Sequence, residues 1–270
     1  MTLPEPFSFV SGTLPLLISI PHAGVTLTPE VENALTPEAA VLSDTDWHIP
    51  RLYDFARKMG ASMLKGNYSR LVIDLNRPAD DQPLYTTATT GLFPETLFDG
   101  RPVFKTGQTP TPQQRQQYLR EIWHPYHQQL QRELDRLRAE FGYVLLFDAH
   151  SIASLIPRLF DGRLPDLNIG TNGGTSCDPQ LEAQIIASCA AQNTFSYVVN
   201  GRFKGGYITR EYGKPTLEQH AIQLELAQKN YMQEEIPFDY QPDNAAQLQG
   251  ILQPLITALL EWGSQQKTLS

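Results

Sequence analysis

One stretch constrains this chain more than any other: Tyr143-Val144-Leu145-Leu146-Phe147 runs straight into Asp148-Ala149-His150-Ser151. A short unbroken apolar run of Val, Leu and aromatics is the pattern of a strand buried on both faces. Polar side chains just past such a strand stand at the carboxyl edge of the sheet, where open α/β sheets place their ligands. An earlier segment repeats the layout, with Leu16-Leu17-Ile18-Ser19-Ile20 followed by Pro21-His22-Ala23-Gly24. Either histidine alone reads as an ordinary loop residue. Two buried strands that each deliver a histidine, with acids elsewhere in the chain, read as a shared metal or catalytic site.

A chain of 270 residues, 41% hydrophobic and 19% charged, can bury a core of its own, and one domain over residues 1–270 is expected. A net charge of −8 and a pI of 5.2 argue against nucleic acid or an anionic membrane as partner. They leave open a small acidic ligand, because a local arginine cluster decides that. Cys177 and Cys189 make no disulfide framework, which fits a reducing compartment. No apolar leader follows Met1, and no apolar run approaches the ~18 residues of a membrane span. The expected setting is cytoplasmic.

Residues 28–42 read as a loop with a short helix. Ser43-Asp44-Thr45-Asp46-Trp47-His48 then precedes a helix in which Ile49, Leu52, Tyr53, Ala56 and Met59 keep helical spacing up to Gly60. Either aspartate suits its N-cap, and two leave one free for other work. Ser62-Met63-Leu64 predicts a short strand. Arg70 to Arg77 predicts a clearer one, stopped by Pro78, with Asp74 and Asn76 on one side and Asp74 able to pair with Arg70. Residues 79–110 form a loop of the length expected for a lid. Thr111, Pro112 and Gln114 open a helix with a capping box that runs to Glu140 and kinks at Pro125. It carries Trp123-His124-Pro125-Tyr126-His127, whose two histidines suit solvent or substrate contact better than a metal. A helix from Pro179, a strand at Tyr197–Asn200, an alternating strand at Ala221–Ala227 and an amphipathic helix over Asn244–Trp262 complete an α/β layout.

Catalytic zinc takes three N, O or S ligands from protein and keeps one position for water. The candidates are His22, one of Asp44 and Asp46, and His150. Glu225 alternates with Ile222, Leu224 and Leu226, so it shares the other side of its strand with Gln223. A carboxylate in so apolar a strand needs a cation or a cleft, which makes Glu225 the best-placed general base. Asn76-Arg77 offers an amide beside a planar guanidinium fork, a natural clamp for a carboxylate. Arg202, Lys204 and Arg210, flanked by glycines in an acidic chain, read as an anion-binding loop. Two other classes remain open: a cysteine hydrolase using Cys177 with His150 or His124 as base, and a binder of acidic metabolites that performs no chemistry.

Together, Pro21 to Gly24, Asp44 to His48, Ser69 to Pro78, Trp123 to His127, Asp148 to Ser151, Asn200 to Gly206 and His220 to Gln228 resemble the N-formylglutamate amidohydrolase family. The resemblance runs in order over about residues 10 to 235. It implies a mixed sheet flanked by helices, zinc-carboxypeptidase-like (phosphorylase/hydrolase-like), as in the aspartoacylase group. It also implies hydrolysis of N-formyl-L-glutamate to formate and L-glutamate, a step of histidine breakdown. That group's first ligands come as His-x-x-Glu, but Val25 stands at the Glu position here, so the acidic ligand is expected further on: Asp46, with Asp44 in reserve. Zinc on His22, Asp46 and His150 would then activate water for Glu225 to deprotonate, while Asn76, Arg77 and Arg202 hold the carboxylates. Compared members read Asp-Ala-His-Ser-Ile-Arg-Ser, and Ala153 stands at that Arg. Arg158 or Arg202 is expected to substitute, with Arg210 as a further anion contact. The nearest rival is a deacylase of another N-acyl amino acid.

Overall fold

The computed structural model describes residues 3–84 and 89–269. Its strands are β1 (Phe7–Val10), β2 (Leu16–Ile20), β3 (Ser62–Gly66), β4 (Val144–Ile152), β5 (Leu167–Gly170), β6 (Tyr197–Val199) and β7 (Gln219–Ala227). Its α-helices are α1 (Pro29–Ala34), α2 (Ile49–Leu52), α3 (Asp54–Met59), α4 (Pro112–Tyr118), α5 (His124–Phe141), α6 (Pro179–Ala190), α7 (Tyr207–Tyr212) and α8 (Pro242–Leu269). The strands form one mixed sheet of seven in the order β1-β3-β2-β4-β7-β5-β6. The centre, β3-β2-β4-β7, is parallel, while β1 on β3 and β5 on β7 are antiparallel.

The two central strands, β4 and β7, are buried along all nine residues of each. On one face Ile18, Leu145, Phe147, Ile222 and Leu224 pack with Leu181 and Ile185 of α6 and with Leu248, Leu252, Leu255 and Leu259 of α8. On the other, Leu17, Val144, Leu146 and Ala221 pack with Tyr126, Leu130 and Leu134 of α5 and Ile208 of α7. Further along the same strands this second face changes character. Ser19, Asp148, His150, Gln223 and Glu225 follow at alternate positions, continuing the side of Leu17, Leu146 and Ala221. One face is therefore core at the amino ends of the strands and a buried polar site at their carboxyl ends.

Four local expectations are corrected. First, β4 extends through His150 to Ile152, so this histidine stands within the strand rather than past it. Second, residues 70–78 form turns, not a strand. The amide of Asn76 donates to Asp74 Oδ1 at 2.8 Å, a local bond that competes with a sheet ladder. Third, residues 49–59 form two short helices parted at Tyr53 (φ −93°, ψ 9°), although Gly60 caps the second at φ 112° as its spacing implied. Neither Asp44 nor Asp46 caps the first; His48 stands there, its side chain turned to Phe238 O at 2.7 Å rather than to the helix amides. Fourth, the capping box at Thr111 and Gln114 is present, but the helix is interrupted by a π turn over Leu119–Trp123. Pro125 has no N–H for the ladder, and the break is absorbed in the turn before it. The lid-length loop holds isolated bridges at Thr96 and Phe104. Its residues 85–88, like Met1, Thr2 and Ser270, lie outside the described residues. No helix among the described residues is long and apolar enough to cross a membrane.

Candidate active site

His22 follows β2 and His150 lies on the adjacent β4, so the parallel pairing of these strands brings their rings to centroids 4.9 Å apart. Asp46 reaches the same point from the loop before α2. That loop is tied down by Asp46 N–H to His22 O (3.0 Å), Gln228 Nε2 to Thr45 O (3.0 Å) and Tyr231 Oη to Trp47 O (2.9 Å). One ligand atom from each of His22, Asp46 and His150 lies within 4.8 Å of the others, and all three residues are buried. Asp46 Oδ2 is 3.1 Å from His150 Nδ1 and 3.9 Å from His22 Nδ1. Asp44 turns away, accepting from Phe98 N–H at 2.8 Å.

The far nitrogens are held by other carboxylates. His22 Nε2 donates to Asp74 Oδ1 at 2.7 Å, and His150 Nε2 lies 2.9 Å from Asp148 Oδ2. Such carboxylate–histidine pairs fix the tautomer and aim the other nitrogen at a metal. Burial, with Arg70 adding, lowers the pKa of His22. Its ring is thus neutral with Nδ1 bare, and two acceptors face each other across 3.9 Å. That arrangement is repulsive unless a positive charge lies between them. Burial also pushes His150 down, but Asp148 and Asp46 outweigh it and hold its pKa well above the ordinary value. The proton they retain occupies the place a cation would take. Asp74 shows the same opposition: burial raises it, while His22, Arg70 and Arg77 hold it well below the carboxylate range. Two imidazoles and one carboxylate, each backed by fixed partners, suit a borderline divalent ion.

Glu225 pairs with His150 across the β4–β7 register. Burial raises its carboxyl pKa to about 8, against the pull of the His150 charge and with Asp46 adding. It opens onto a cleft lined also by His22, Arg70, Asn76, Arg77, His150, Arg202 and Gln223. Arg77 is fixed by Nε to Thr90 O (2.7 Å), Nη1 to Asn76 O (2.9 Å) and Nη2 to Thr89 Oγ1 (3.0 Å). Asn76 has its amide engaged, Oδ1 accepting from Ile208 N–H (2.8 Å) and Nδ2 donating to Asp148 Oδ2 (3.4 Å). Arg202 sits on Leu159 O at 2.8 Å.

Arg158 and Arg210 are not among the cleft residues. Arg158 is exposed with Nη1 3.4 Å from Leu97 O, and Arg210 bonds to Gly205 O and Leu84 O. Of the two arginines expected to substitute for the one missing at Ala153, Arg202 lines the cleft and Arg158 does not. Arg70, which was assigned only to a pair with Asp74, also lines the cleft; its Nη2 reaches Asp74 at 2.7 Å and its buried Nε has no partner. Asp148 had a signal in the sequence that went unused: it stands two residues before His150 on a strand and so shares its face.

Cys177 is in the apolar core, and burial pushes its thiol up to about 12. His124 is exposed on α5 and His150 is committed to aspartates. A buried, protonated thiol without a base is inert. Cys177→Ala should keep turnover within about twofold and lose roughly 1 kcal/mol of stability, read by steady-state kinetics and thermal melting. Loss of turnover in a folded Cys177→Ala protein would restore the thiol mechanism.

Comparison with known proteins agrees with the sequence resemblance. The family model for N-formylglutamate amidohydrolase matches residues 14–232. N-formylglutamate deformylase of Pseudomonas aeruginosa is 58% identical over 262 residues, covering 97% of this chain and 98% of that protein. The deformylase of Pseudomonas putida is 58% identical over 259 residues, covering 96% and 97%. Among solved structures, an N-formylglutamate amidohydrolase from Ralstonia eutropha shares the fold at a TM-score of 0.81 and 22% identity, covering 98% of this chain and 100% of that one. The Atu2144 gene product of Agrobacterium tumefaciens does so at 0.71 and 15% identity, covering 94% and 95%. With the match running through both histidine strands, the Asp46 loop and Glu225, the chain belongs to the N-formylglutamate amidohydrolase family.

Proposed function

We propose that this chain hydrolyses N-formyl-L-glutamate to formate and L-glutamate with a divalent metal, zinc by preference, held by His22, Asp46 and His150. The observation that supports the metal is the bare His22 Nδ1 facing Asp46 Oδ2 at 3.9 Å, with carboxylates behind both imidazoles. When bound, such an ion supplies Lewis acidity and makes a water nucleophilic near neutral pH. Glu225 takes the proton of the attacking water and hands it to the departing glutamate nitrogen. Arg70 offers a buried guanidinium to the oxygen that gains charge as the formyl carbon becomes tetrahedral. Arg77 and Arg202 hold the carboxylates, and Asn76 orients the turn that carries Arg77. A central parallel sheet with its ligands at the carboxyl ends suits a zinc-carboxypeptidase-like hydrolase built as one domain. Two buried, unpaired cysteines suit a reducing, cytoplasmic setting.

Formate release from N-formyl-L-glutamate, measured beside N-acetyl-L-glutamate and N-formyl-L-leucine, tests this reading. The formylated diacid should be preferred by at least tenfold in kcat/KM. Equal use of the acetyl compound would favour the rival deacylase. Three of the five N–H donors of Arg77 are spent on its surroundings, leaving two for a carboxylate. Arg77→Lys cannot reproduce that fork and should lose roughly 1.5–3 kcal/mol, about ten- to a hundredfold, chiefly in KM. An unchanged KM would remove Arg77 from substrate binding.

A further inference from the structure

We propose that Trp123 and His127 are positioning residues for substrate binding: two N–H donors on one helix face that clamp the carbonyls on either side of Asn76 and so aim Arg77. The inference rests on the reading of Arg77 as a carboxylate-binding residue. Trp123 Nε1–H donates to Arg77 O at 2.9 Å, and His127 Nε2 lies 2.9 Å from Leu75 O. A carbonyl can only accept, so Nε2 carries the proton. Nδ1 is then bare and accepts from Tyr212 Oη at 3.0 Å. Both side chains are buried, and their rings stack at 3.8 Å and 28°. The two rings thus pack as one plate.

The turn they grip is dense with contacts to the site. Asp74 holds His22, Asn76 reaches Asp148, and Arg77 follows at once. The opposite side of the turn is held by α7, through Ile208 N–H to Asn76 Oδ1. Tyr212, at the end of the same helix, completes the ring by binding His127. The turn is therefore fixed between α5 and α7. The π turn at Leu119–Trp123 lies immediately before this point and ends on Trp123 itself. One extra residue there sets which way the indole faces relative to His127. Burial lowers the pKa of His127 to about 3, so the ring stays neutral and its donor is constant across the working pH range.

The experiment uses the metal-loaded enzyme, the four single variants His127→Phe, His127→Gln, Trp123→Phe and Arg77→Ala, and the two double variants that combine Arg77→Ala with His127→Phe or Trp123→Phe. His127→Phe keeps the stacked ring and deletes the donor. His127→Gln keeps an amide donor at about the Nε2 position. His127→Phe should lower kcat/KM for formylglutamate roughly ten- to a hundredfold, mostly through KM, with metal content unchanged and the same ratio to wild type from pH 6 to 9. His127→Gln should recover most of it. Trp123→Phe should act in the same direction and serves if His127→Phe does not fold. In the Arg77→Ala background the KM effect of either ring substitution should vanish, because it acts through Arg77. If Arg77→Ala raises KM while His127→Phe and Trp123→Phe do not, the inference is overturned and the reading of Arg77 stands. If Arg77→Ala leaves KM unchanged, the reading of Arg77 falls and the inference falls with it. Additive losses in the double variants would mean that the rings act independently of Arg77, which also overturns it.

Discussion

Replacing Glu225 by glutamine should leave a folded, metal-loaded protein whose kcat has fallen by about 10²–10⁴-fold. The carboxyl sits in β7 opposite His150, buried, and burial raises its pKa to about 8. A structural carboxylate in such a place would be bonded to a guanidinium, yet Arg70 is given to Asp74 and Arg77 to Thr90 O, Asn76 O and Thr89 Oγ1. Glutamine preserves shape and removes the proton acceptor. Because a raised carboxyl is protonated below its pKa, wild-type kcat/KM should climb with pH through the Glu225 ionisation. A bound divalent charge favours the carboxylate and moves that limb below about 8. The limb should be missing in Glu225→Gln. Near-normal kcat in a metal-loaded variant would place the base elsewhere. A lowered melting temperature with kcat intact would make Glu225 structural.

His150→Ala should lose both the metal and the activity. The substitution deletes one of three donors and leaves Asp46 and Asp148 facing a cavity without the ring that now separates them. The loss should exceed the ~10–100-fold in metal affinity that removal of an outer partner costs, and Asp148→Asn provides that comparison. The protonation of His150 gives the effect a pH signature. Its pKa stands well above the ordinary value because Asp148 and Asp46 outweigh burial, so the ring carries a proton at neutral pH before a cation binds. Metal binding should release that proton, and affinity should fall as pH falls. Calorimetry in buffers of different ionisation enthalpy reads the proton directly. Stoichiometric metal with normal turnover in His150→Ala would remove this residue from the site.

The strands that carry the histidines were legible because burial on both faces leaves an apolar run that no surface element would tolerate. Glu225 was legible for the complementary reason: a lone carboxylate on the polar side of an otherwise apolar strand needs something to face. The turn at 70–78 was not legible. Leu71, Val72, Ile73 and Leu75 are buried as a strand's would be, but as a turn packed into the core shared by α1, α4, α5 and one side of the sheet, not as members of the sheet. Periodicity reports burial and not what does the burying. The choice between Asp44 and Asp46 was open for a similar reason. Two residues apart on a loop, they differ only in the direction the chain takes, and that is set by Gln228 and Tyr231 from about 180 residues away. Arg158 and Arg210 lie outside the cleft lining, and charge along the sequence says nothing about which way a guanidinium turns. Trp123 and His127 carried the opposite difficulty: their place in a helix was plain, but their partners on the 74–77 turn belong to tertiary structure alone.

The central claim is that a metal held by His22, Asp46 and His150 serves formylglutamate hydrolysis, and one measurement bears on it most directly. Metal content by elemental analysis and formate release from N-formyl-L-glutamate should be followed on a single preparation as a chelator strips it and zinc is returned. Activity should fall in proportion to metal removed, return in proportion to metal restored, and extrapolate to about one ion per chain, held by His22, Asp46 and His150. Full turnover persisting in protein from which the metal has been removed would contradict the account.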